Sequence, residues 1–61
     1  MKEYQVICLE EYGRAVDEAK VEGAINEMVS RGWDYLQMAT GGGGESGYFV
    51  SWVYLIFTRE K

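Results

Sequence analysis

The sequence predicts an α+β fold of two layers, one helix laid on a three-stranded sheet in the order β-α-β-β. The stretch Gly47-Tyr-Phe-Val-Ser-Trp-Val-Tyr-Leu-Ile-Phe-Thr58 concentrates β-branched and aromatic residues without a breaker, as a long strand does. Val21, Ala24, Ile25, Met28 and Val29 recur at spacings of three and four, which gives a helix one apolar stripe. Two shorter runs, one before and one after that helix, return to the alternation of a strand.

The first strand is expected over about residues 3–10, bounded by Lys2-Glu3 and Glu10-Glu11. Alternation places Tyr4, Val6 and Cys8 on one face and Gln5, Ile7 and Leu9 on the other, so both faces carry apolar groups. The helix is expected over about residues 17–31. Asp17 is its N-cap, Val16 and Val21 form a hydrophobic staple, Glu27 pairs with Arg31, and Gly32 closes it in the left-handed conformation. Gly23 falls outside the apolar stripe, on a face of small residues with Ala19, Asn26 and Ser30.

The second strand is expected over about residues 33–39, with Leu36 and Met38 on one face and Trp33, Tyr35 and Gln37 on the other. The glycine-rich run 40–47 is expected as a flexible hairpin loop. It lacks the lysine and following helix of a phosphate-binding loop, and Glu45 would repel a phosphate. The third strand takes about residues 48–59. A hairpin between strands two and three, with strand one on the far edge of strand three, gives the order 2-3-1; the order 1-2-3 is the alternative.

Composition narrows the classes of function. At 61 residues the chain is one domain with a small core, and a single cysteine with no histidine leaves neither a disulfide within the chain nor a Cys/His zinc site to supplement it. Oligomerisation is the remaining common supplement. Cys8 is expected as a small buried hydrophobe of a reducing compartment, and the location as cytoplasmic. Six basic against ten acidic residues, a net charge of -4, oppose binding to nucleic acid and to anionic membrane surfaces. The apolar run near the C-terminus is too short for a spanning helix. Glu10-Glu11 and Asp17-Glu18 read as solvated turn and helix-start charges, so no catalytic residue, metal ligand or cofactor is expected and the chain is not read as an enzyme.

Glu3-Tyr4-Gln5-Val6-Ile7, then Arg31-Gly32-Trp33-Asp34-Tyr35-Leu36, a glycine loop, and Tyr54-Leu55-Ile56-Phe57-Thr58-Arg59 form a pattern that covers nearly the whole chain. It resembles a short bacterial family of uncharacterised proteins with a Glu-Tyr-Lys-Val-Val strand, an amphipathic helix, a Glu-Gly-Trp-Glu-Leu-Val strand start and a closing Ala-Ile-Phe-Lys-Arg strand. Arg31 stands where that family often has an acid, and the final strand is unusually aromatic. The resemblance implies the β-α-β-β topology and no chemistry.

A third strand of about 12 residues spans about 40 Å, against about 22 Å for a helix of about 15 residues. One helix also shelters only one face. Phe49, Val53, Leu55 and Phe57, with Leu36 and Met38, are expected beneath it. Tyr48, Val50, Trp52, Tyr54 and Ile56, joined by Tyr35, form the candidate interface of a homo-oligomer, because a patch of this kind exceeds what soluble monomers expose. The expected role is a small interaction or regulatory module that binds copies of itself. The alternative is a small-molecule binder whose pocket between subunits is lined by Trp33, Tyr35, Trp52 and Tyr54.

Overall fold

Three strands, β1 (Lys2–Tyr12), β2 (Asp34–Glu45) and β3 (Tyr48–Glu60), form one sheet, and the helix α1 (Glu18–Ser30) lies between β1 and β2 in the chain. The structure, a computed structural model, describes residues 1–45 and 48–61, with Glu45 and Tyr48 described through their backbone alone. The sheet order is β1-β3-β2, and both neighbours run antiparallel to β3, which makes β1 and β2 parallel to each other. This is the order 2-3-1, with the most strongly β-forming stretch in the centre.

Each end of α1 is fixed by its own residues. The Asp17 carboxylate accepts a hydrogen bond from the Ala19 amide at 3.1 Å. At the other end Gly32 sits at φ +91°, its amide donates to the Val29 carbonyl, and the Trp33 amide donates to that of Met28. This pair of reversed bonds is the Schellman arrangement, and its usual hydrophobic contact is present, since Met28 and Trp33 are both buried in the core. Gly32 therefore ends the helix and turns the chain so that Trp33 folds under it.

The core lies wholly on the helix side of the sheet. Met28, Trp33, Val53, Leu55 and Phe57 are buried, Leu55 and Phe57 completely, and Ile7, Leu9, Val16, Val21, Ala24 and Ile25 pack around them. Burying a side chain of this size contributes about 1.5–3 kcal/mol, so so small a set leaves the domain marginal on its own. Four expected members fall outside it: Val29, at the edge of the helical stripe, Phe49, beyond the reach of α1, and Leu36 and Met38 of β2 are each 41–51% exposed. With 13 residues each, β3 spans about 44 Å and α1 about 20 Å, in a molecule 46 Å long and 11 Å thick.

Strand β2 departs from the expected pattern twice. The register with β3 shifts between Tyr35 and Gln37, which makes Leu36 the extra residue of a β-bulge. One inserted residue reverses the faces on either side of it. Tyr35 therefore stands opposite Phe57 on the helix side, in edge-to-face contact with a centroid separation of 6.1 Å, and Met38 stands opposite Leu55. Leu36, half exposed, does not join the core, and neither does Met38, which is on the helix side but 41% exposed.

The second departure is the glycine run, which is strand and not loop. Thr40 through Glu45 pair with Val53 through Tyr48. Of the expected loop 40–47, only Ser46 and Gly47 lie outside the described residues. Glycine is a poor strand former because it has no side chain to pack, but here β3 supplies both the ladder and the missing surface. A Cβ built on Gly41 would stand 2.5 Å from Trp52 Nε1 and 2.7 Å from Cε2, so the indole of the neighbouring strand fills the space above that glycine.

Candidate interaction surface

The face of the sheet turned away from α1 is built by alternation. Val53, Leu55 and Phe57 point into the core, so Val50, Trp52, Tyr54 and Ile56 point the other way. Tyr48 shares their parity on β3, though its side chain lies outside what is described. The unbroken β1–β3 register sets Tyr4 beside Thr58, Val6 beside Ile56, Cys8 beside Tyr54, Glu10 beside Trp52 and Tyr12 beside Val50. On the other flank β2 contributes Gln37, Ala39 and Gly41 beside Ile56, Tyr54 and Trp52.

The result is a continuous, mostly apolar surface without a covering element among the described residues. Tyr4 is 61% exposed, Val6 55% and Tyr54 42%, while Trp52 and Ile56 are half-buried by their flanking strands. Lys2, Glu10, Asp34 and Gln37 provide its polar groups, toward the rim. Four expected interface residues, Val50, Trp52, Tyr54 and Ile56, are brought together here. Tyr35 is not: the bulge at Leu36 sends it to the helix side against Phe57.

Strand β1 supplies the part of this surface that a reading centred on β3 missed. The alternation of Tyr4, Val6 and Cys8 already groups them on one face, but only the register joins them to the Trp52 face. Cys8, expected to be buried, is exposed in the middle of the surface beside Tyr54.

The four aromatic residues of the alternative pocket do not converge. Trp33 is buried in the core and Tyr35 lies on the helix side, whereas Trp52 and Tyr54 belong to the opposite face. No enclosed pocket forms among the described residues.

The polar groups of the helix side have structural work. Glu11, expected to be solvated, is buried at the edge of the core, where it pairs with Lys20 of α1 and with Arg14 at 3.3 Å. The Lys20 ammonium, helped by Arg14, holds the Glu11 carboxyl below the usual carboxylate range despite its burial. A carboxylate so committed to two cations is a clamp between β1 and the start of α1. The Ser51 hydroxyl donates to the Arg14 carbonyl at 2.6 Å and fixes the same corner. At the opposite end Arg59 pairs with Glu3 and lies 4.1 Å from the Trp33 ring centroid, a cation–π contact that seals the core.

No group of three or more metal-ligating side chains comes together among the described residues, and no helix among them is long and apolar enough to cross a membrane. No family model, curated protein or solved structure matches the chain.

Proposed function

We propose that this protein is a small interaction module whose copies associate through the open face of the sheet. The observation that carries the reading is the joined surface of Tyr4, Val6, Cys8, Trp52, Tyr54 and Ile56 on one side of a sheet whose helix α1 lies on the other. Eleven residues of strand by three strands make a face of roughly 500 Å² in projection, the same order as the about 800 Å² per partner of a standard interface. A second copy is the occupant that fits. Two such faces stack about 10 Å apart as the sheets of a sandwich do, and their Tyr and Trp side chains bury apolar bodies while the hydroxyl and indole N–H groups keep partners at the rim.

The proposed setting is cytoplasmic, where an exposed thiol such as Cys8 stays reduced, and the acidic chain has neither nucleic acid nor membrane as partner. The proposed role involves no catalytic step. Kinship with the uncharacterised bacterial family rests on its motif residues, of which Gly32 and Trp33 act in the helix cap and core.

Light scattering on a sizing column tests the reading: a mass at least twice the 7.0 kDa of one chain is expected at micromolar concentration. A clean monomer there would overturn it.

A further inference from the structure

The two edges of the sheet differ in kind. The edge on β2 is interrupted by the bulge at Leu36 and by the glycine run, both of which discourage a further strand. The edge on β1 has no such device: its register with β3 runs without a shift from Lys2 to Tyr12, and Tyr4 through Leu9 hold neither a charge nor a proline. Such an edge is a template for another strand.

The direction of its free backbone groups follows from the ladder. Gly13 donates to the Phe49 carbonyl and Lys61 donates to that of Met1, so odd-numbered residues of β1 exchange hydrogen bonds with β3. The even-numbered residues, Lys2, Tyr4, Val6, Cys8 and Glu10, then turn their N–H and C=O groups outward. Their side chains are those on the open face, and Tyr4, Val6 and Cys8 are all exposed.

We propose that β1 pairs antiparallel with β1 of a second copy, with Val6 on the two-fold axis, to make one continuous six-stranded sheet. Charge selects this register. With Val6 opposite the partner's Val6, Lys2 faces the partner's Glu10 twice across the axis, and Tyr4 faces the partner's Cys8. Moving the axis one residue to Ile7 instead loses both Lys2–Glu10 pairs, since Glu10 then faces the partner's Tyr4. The five facing positions can exchange up to about ten backbone hydrogen bonds. Both helices fall on one side of the joined sheet, and the open faces merge on the other. This contact uses a different surface from the face-to-face association proposed above and stands or falls separately.

Amide hydrogen exchange on the unmodified protein reads the edge directly, because stacking of faces leaves the edge amides unbonded. The Tyr4, Val6 and Cys8 amides are expected to slow at least about tenfold between dilute and concentrated samples, while Gln5, Ile7 and Leu9 are protected in both. In a second arm, Val6→Cys combined with Cys8→Ser should give a disulfide-linked dimer on mild oxidation, since facing strand residues lie within bridging distance, and Ile7→Cys with Cys8→Ser should not. Fast exchange of the even-numbered amides in a sample whose mass is already that of an oligomer would overturn the edge contact and leave the face contact standing. Efficient cross-linking through Ile7→Cys and not Val6→Cys would overturn the register.

Discussion

The indole of Trp52 lies over Gly41 of the neighbouring strand, so close that a methyl group on that glycine would sit 2.5 Å from the ring nitrogen. The two residues face each other across the β2–β3 ladder, and the contact explains how a run of four glycines is held as strand. It also places the ring on the open face, where the glycine strand lies beside it.

Gly41→Ala must displace a rigid ring, and overpacking of this kind costs about 1–3 kcal/mol. Gly43→Ala meets nothing within 4 Å and removes freedom from the unfolded chain, so it should be neutral or slightly stabilising. Urea midpoints and tryptophan emission distinguish the two: a lower midpoint with shifted emission is expected for Gly41→Ala alone. Equal effects would show that the ring does not depend on the glycine.

Gly23 inside α1 and Gly32 just past its end should respond in opposite directions to alanine. Gly23 is exposed, with open space where a Cβ would go, and its replacement should stabilise by about 0.5–1 kcal/mol. Gly32, at φ +91°, should lose about 1–2 kcal/mol, because an L side chain is strained there. Melting temperatures at one fixed protein concentration check both, and a loss at Gly23 would mean that its face is in close contact with another chain.

Protonation of Glu11 removes the clamp on Lys20 and Arg14. Its carboxyl lies below the ordinary range in the folded state, so the pairing contributes fully above the unfolded carboxyl's pKa and is lost as pH falls through the lower folded value. Denaturation midpoints measured from about pH 7 down to about pH 3 should therefore fall more steeply for the native protein than for Glu11→Gln. Parallel curves would contradict the clamp.

The fold was legible where one local signal had one meaning. Asp17, Gly32 and the 3-and-4 spacing marked the helix, and the uncharged closing strand announced the centre of the sheet. Tyr35 was not legible, since a single bulge at Leu36 reverses its face and no residue type marks a bulge. The glycines were misleading for a related reason: their strand character comes from pairing with β3 and from the Trp52 ring, not from their own propensity. Glu11 belongs with these cases, because its burial depends on Lys20 arriving from the helix.

The central claim is that the open face carries self-association, and the mass of the native protein set beside that of Trp52→Glu and Tyr54→Glu tests it most directly. Light scattering at one micromolar-range concentration, with circular dichroism to establish that each variant keeps its fold, is the measurement. The account predicts that the native protein is an oligomer and that a folded variant with either charge loses the face contact and falls in mass. An unchanged mass in both folded variants would contradict it.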